Sequence, residues 1–118
     1  DFVRGMWQML QQEEPQDYVM GTGETHSVRE LARTAFAHVG LDWESFVEVD
    51  PGYYRPTEVE HLEADPKLAR EELGWEAEVT FEQLIHEMVE SDLSELELSL
   101  DEARAVVAER FPEEVQLD

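Results

Sequence analysis

The chain contains no cysteine, which excludes disulfides, thiolate zinc sites and cysteine nucleophiles. Positive charge is nearly as scarce. Eight Lys and Arg residues stand against thirty Asp and Glu, Lys67 is the only lysine, and the formal net charge is −22. A field of that sign repels phosphate backbones and anionic headgroups, so no nucleic acid and no membrane surface is expected as a partner. Long apolar runs are missing too. Nothing approaches the ~20 residues that a bilayer-spanning helix needs, and nothing reads as a signal peptide. The expected location is therefore cytoplasmic.

What is present is enough for one modest domain. A chain of 118 residues can bury roughly two-thirds of its unfolded surface. The carboxylates are spread through every segment, which predicts a solvated acidic shell. Adaptation to high salt explains such a shell, because a Debye length of ~3 Å at 1 M relieves carboxylate self-repulsion. Ordinary acidity is the plainer alternative.

Periodicity supplies the elements. Phe2, Val3, Met6, Trp7 and Leu10 fall on one face of an opening helix. No initiator methionine precedes it, so the chain reads as an internal segment whose N-terminal part lies elsewhere; a processed or engineered start would look the same. Tyr18, Val19 and Met20, ended by Gly21 and Gly23, read as a strand feeding a tight turn. Ser27 and Glu30 have capping-box spacing ahead of an apolar stripe from Val28 to Val39 that Gly40 terminates. Phe46, Val47 and Val49 read as a second strand, closed by Asp50, Pro51 and Gly52. Asp65 before Pro66 starts a short helix that Gly74 ends. Thr80 with Gln83, and Ser99 with Glu102, repeat the capping box before two further helices, the last stopped by Pro112. The fold class expected from this order is α/β, with amphipathic helices packed on short strands.

Most candidate chemistry has a structural reading. Gly21, Thr22 and Gly23 lack the full G-x-G-x-x-G, so a strand-to-helix turn is expected there in place of a dinucleotide loop. His26, His38, His61 and His86 never take a metal-ligand spacing. His38 and His86 fall inside helices, as surface or boundary residues, while Trp43 and Trp75 are expected to pack their rings over the core. No serine sits in a nucleophile elbow. The stretch Tyr53 to Glu60 is different, joining aromatic rings, Arg55 and the carboxylates Glu58 and Glu60 without a clean period. A guanidinium there can grip a phosphate bidentately and a carboxylate three residues on can accept from sugar hydroxyls. An Arg and Glu solvated or paired with each other fit the spacing equally well.

Five motifs stand in a recognisable order: FVRGMWQMLQ from Phe2, YVMGTGETHSVRE from Tyr18, FAHVGLDW from Phe36, YRPTEV from Tyr54 and LGW from Leu73. Together they resemble the C-terminal third of the GDP-mannose 4,6-dehydratase family, a group of extended short-chain dehydrogenases/reductases, over residues 1–97. The stretch GTGETHSVRE followed by AHVGLDW carries the specific resemblance. RP-x-E, the Asp-Pro helix and LGW are shared with many nucleotide-sugar epimerases and dehydratases.

The resemblance implies a small substrate-binding lobe whose Rossmann half, binding NADP, is absent from these residues. It implies conversion of GDP-mannose to GDP-4-keto-6-deoxymannose: hydride leaves C4 for the cofactor, water is eliminated across C5 and C6, and the hydride returns at C6. Arg55 then matches an arginine on the GDP diphosphate, and Glu58 a carboxylate near the ribose. Thr22, Glu24 and His26 fall in the specific loop as further substrate-side candidates. The family's Gly-rich loop, Tyr-x-x-x-Lys pair and catalytic Thr and Glu have no counterpart here, so the isolated chain is expected not to run the reaction. Ala64 stands where a glycine is common, and residues 98–118 form an acidic helical extension past the usual end. The expected partners are the sugar nucleotide and the absent Rossmann half, and a homo-oligomer is compatible with the family. A related epimerase lobe and a non-catalytic acidic interaction module are the rival readings.

Overall fold

The computed structural model describes residues 1–55, 57, 59 and 61–113. Four α-helices form: α1 (Phe2–Met9), α2 (Val28–His38), α3 (Phe81–Glu95) and α4 (Leu100–Arg110). Two 3-10 turns, Trp43–Ser45 and Pro51–Tyr53, and a π-helical turn, Ala69–Leu73, complete the order. The chain divides into two compact units, Asp1–Thr25 with Thr57–Thr80 and His26–Pro56 with Phe81–Asp118.

In the first unit, α1 rests on the segment around Trp75. The indole of Trp75 is 1% exposed and its Nε1 donates to the Asp1 carbonyl at 2.9 Å. Close approach is possible because α1 carries Gly5 at the contact; a β-carbon there would overlap the Met20 methyl and meet the Trp75 ring. The Asp1 carboxylate accepts from the amides of Glu78 and Val79, both at 3.0 Å, and Arg4 donates to the Glu76 carbonyl at 2.6 Å. As the sequence predicts, Asp65 caps the start of the next helix through the Lys67 amide at 3.0 Å. Gly74 ends it in the left-handed region at φ 64°, a conformation that suits glycine. The turn is wider than an α-helix, closing with the Trp75 amide on the Ala69 carbonyl, and it seals Ala69 completely from solvent.

The apolar stripe predicted on α1 is present but faces outward. Phe2, Val3, Met6, Trp7 and Leu10 are all exposed, Trp7 at 62% and Leu10 at 82%. The face that packs inside the unit is the small one, at Gly5.

The second unit is built on α2 and α3, which pack against each other, with α4 packed on α3. Ser27 and Glu30 form the full capping box, with the Ser27 amide donating to Glu30 Oε2 at 2.7 Å and the Glu30 amide to Ser27 Oγ at 3.1 Å. Gly40, at φ 82°, turns the chain so that the Leu41 amide reaches back to the Phe36 carbonyl at 2.9 Å, the helix-ending arrangement its position predicts. Ser99 and Glu102 cap α4 in the same way. Ile85 and Ala103 are the buried apolar residues of this unit among the described ones, and Phe46 bridges Phe36 and Phe111 with ring centroids at 5.8 and 5.3 Å.

The expected strands do not form among the described residues, which are helical and irregular. At Phe46–Val49 the reason is local. Asp42 accepts from the Glu44 amide, the resulting 3-10 turn takes the amides of Phe46 and Val47 onto the Trp43 carbonyl at 3.1 and 3.0 Å, and a strand ladder would need those donors. Tyr18–Met20 pack by side chain: Tyr18 Oη donates to Glu72 Oε2 at 2.9 Å and the Met20 methyl covers Gly5. The core is correspondingly thin.

Candidate functional site

In the first unit, the loop that follows Tyr18–Met20 is a tight turn held by its own polar groups. Thr22 Oγ1 accepts from the Glu24 amide at 3.1 Å and donates to the Glu24 carbonyl at 3.3 Å, while Gly23 adopts φ 76°. Thr25 Oγ1 donates to the Leu62 carbonyl at 2.8 Å, tying the loop to the segment that leads to Asp65. Gly21 lies directly against Ala64: a β-carbon on Gly21 would sit 2.5 Å from the Ala64 methyl. The space a phosphate would need in front of a dinucleotide-binding glycine is therefore filled by a side chain. Gly21 and Gly23 form a structural turn.

In the second unit, His26 stacks on Phe81 with ring centroids 3.9 Å apart, one residue before the Ser27 cap. Its ring is thus fixed at the N-terminal ends of α2 and α3. Trp43 stays half-buried, with the Arg29 guanidinium 5.8 Å from its ring centroid, a cation–π contact.

Arg55 follows a turn that is set by Asp50. The Asp50 carboxylate accepts from the Gly52 amide at 2.7 Å, and the Tyr54 amide closes on the Pro51 carbonyl at 3.2 Å. Tyr53, Tyr54 and Arg55 are thereby presented in succession at the surface, the rings 86% and 68% exposed. Arg55 makes no hydrogen bond or ion pair among the described residues. Glu58 and Glu60 lie outside the described residues.

Residues 1–88 match the family model described as GDP-mannose 4,6 dehydratase. The chain belongs to that family. It is 50% identical over 93 residues to GDP-mannose 4,6 dehydratase 1 of Arabidopsis thaliana, which covers 79% of this chain and 26% of the relative. The human GDP-mannose 4,6 dehydratase is 42% identical over 110 residues, 79% of this chain and 30% of its own length. The Vibrio cholerae GDP-mannose 4,6-dehydratase is 38% identical over 122 residues, 80% of this chain and 33% of its own. The chain thus spans between a quarter and a third of these family members. All three loop motifs, GTGETHSVRE, AHVGLDW and YRPTEV, lie inside the matched residues.

The sequence puts His38 and His86 inside separate helices, as surface or boundary residues. The structure stacks their rings at 3.8 Å, with His38 Nε2 on Glu90 Oε1 at 2.9 Å. No spacing rule could have found that pair, since it depends on how α2 meets α3. Among the described residues no group of three or more His, Asp and Glu side chains is arranged to hold a metal. No helix among them is long and apolar enough to cross a membrane.

Proposed function

We propose that this chain is the substrate-side portion of a GDP-mannose 4,6-dehydratase, acting in the conversion of GDP-mannose to GDP-4-keto-6-deoxymannose. Arg55 grips the diphosphate and Glu58 accepts from the ribose hydroxyls. The observation that carries the reading is the match of residues 1–88 to the family, which contains the whole YRPTEV stretch. The turn capped by Asp50 supports it, because it sets an arginine with no ion pair among the described residues beside two exposed tyrosine rings. A guanidinium can meet two phosphate oxygens through parallel charge-assisted hydrogen bonds.

The family uses NADP, which supplies the hydride acceptor and donor. This chain's Gly21–Gly23 turn does not fit a cofactor pyrophosphate, being blocked by Ala64. We assign the cofactor to residues outside this chain, in a Rossmann half, and the outward stripe of α1 is an apolar face suited to dock on it. Thr22, Glu24 and His26 are further substrate-side candidates, the Thr22 hydroxyl bonded to the Glu24 backbone and the His26 ring stacked on Phe81. Residues 98–118 extend past the usual family end and bring the acidic helix α4 to the second unit. The net charge of −22 is read as adaptation to a salty, cytoplasmic environment.

A chimera tests the assignment. Residues 1–88 replace the matching segment of the Arabidopsis relative, and the product formed from GDP-mannose is identified by mass and NMR. A 4-keto-6-deoxy product supports dehydration. A product that keeps its 6-hydroxyl transfers the lobe to an epimerase, and a folded, NADP-loaded chimera that leaves GDP-mannose unchanged overturns the proposal.

A further inference from the structure

The second unit holds a cleft of about 370 Å³ between α2, α3 and α4. Of the eight Lys and Arg and four His in the sequence, two arginines and two histidines line this one place: Arg33 and His38 from α2, His86 from α3 and Arg104 from α4. In a chain of net charge −22 that concentration runs against the overall balance. Glu82 is the one carboxylate in the lining, 3.9 Å from His86 Nε2, and Thr34 adds a hydroxyl.

The basic side chains are fixed to different degrees. Arg104 donates through Nε and Nη2 to the His38 carbonyl at 3.1 and 2.9 Å, which satisfies a free carbonyl at the end of α2. Its other nitrogen, Nη1, keeps its donors. The His38 ring is almost fully covered and anchored on Glu90, and it holds the His86 ring flat against it. Arg33 is exposed and interacts coulombically with Glu30 on its own helix. Two guanidiniums facing one cleft repel each other. An oxyanion with several acceptor oxygens relieves that repulsion and takes the remaining donors.

We infer that this cleft binds a phosphate group, as the free ion or as a phosphomonoester, between Arg33 and Arg104. The site is separate from the sugar-nucleotide reading and does not rest on it. Arg104 lies beyond residue 88, where the family match ends, so the second guanidinium comes from a helix outside that match. The cleft volume exceeds what a bare tetrahedral ion fills, which leaves room for an ester substituent or for water.

The test titrates inorganic phosphate and, separately, methyl phosphate into the full chain at constant KCl, reading the ring resonances of His38 and His86. Saturable shifts at these rings are expected, with Arg33→Gln weakening binding by ~10-fold because a charged hydrogen-bond donor is lost. Glu82→Gln is expected to tighten it at least twofold, a gain that misfolding cannot produce. Shifts with both ligands identify a site for phosphate esters, and shifts with inorganic phosphate alone a site for the free ion. No saturable shift with either ligand, or an affinity unmoved by both substitutions, overturns the inference.

Discussion

The indole nitrogen of Trp75 donates to the carbonyl of Asp1 at 2.9 Å, so the LGW motif is the anvil on which α1 is fixed. Trp75 is the largest side chain fully withdrawn from solvent. Trp75→Ala should destabilise the chain by about 3–5 kcal/mol, and Trp75→Phe by less, since it retains a ring and forfeits mainly the bond to Asp1. Urea unfolding followed by circular dichroism measures both. Equal losses would mean that the ring contributes nothing beyond its hydrogen bond.

The Gly21–Ala64 contact predicts a coupled pair. A methyl at position 21 would collide with the Ala64 methyl, so Gly21→Ala should cost about 1–3 kcal/mol. In an Ala64→Gly background most of that cost should vanish. A double-mutant cycle reads the coupling, and strictly additive effects would contradict the geometry.

The two capping boxes make a pH prediction. Hydrogen bonds from the Ser27 backbone and side chain hold the Glu30 carboxyl below its ordinary value of 4.5; those from the Ser99 side chain and backbone do the same for Glu102. A carboxyl lowered in the folded state contributes stability that is complete above its unfolded value and disappears as pH falls through its folded one. Ser27→Ala and Ser99→Ala should therefore each cost about 1 kcal/mol near neutrality. The deficit relative to the parent chain should shrink below pH 4.5. A deficit independent of pH in acid would refute the reciprocal caps.

Helix ends were the most legible part of this fold, because each is written in adjacent residues: Ser27 with Glu30, Ser99 with Glu102, Asp65 before Pro66, and the glycines at 40 and 74. The strands were misread because Phe46 and Val47 carry β-prone side chains while Asp42 organises the backbone beneath them into a 3-10 turn. The orientation of α1 was not legible for a related reason. Its stripe predicts a buried face, but the partner chosen inside this unit is the small surface at Gly5, which accepts Trp75. At the site, the turn presenting Arg55 could be read from Asp50, Pro51 and Gly52. The stacking of His38 on His86 could not, since nothing near either residue encodes the approach of α2 to α3.

Salt dependence follows from charge. Thirty carboxylates facing eight Lys and Arg repel one another across a thinly packed core, and screening shortens the reach of that repulsion to ~3 Å at 1 M salt. The melting temperature should rise between 0.1 M and 2 M KCl. A temperature unchanged or lowered at the higher concentration would remove the case for adaptation to salt.

The central claim is that the guanidinium of Arg55 meets the diphosphate of a sugar nucleotide. Its direct measurement is the affinity for GDP-mannose of the chimera carrying residues 1–88, with Arg55 and with Arg55→Ala, by calorimetry on NADP-loaded protein. Loss of that charged pair should weaken binding by ~10-fold or more while leaving the melting temperature in place, since Arg55 makes no hydrogen bond or ion pair among the described residues. Equal affinity in the two proteins would contradict the account.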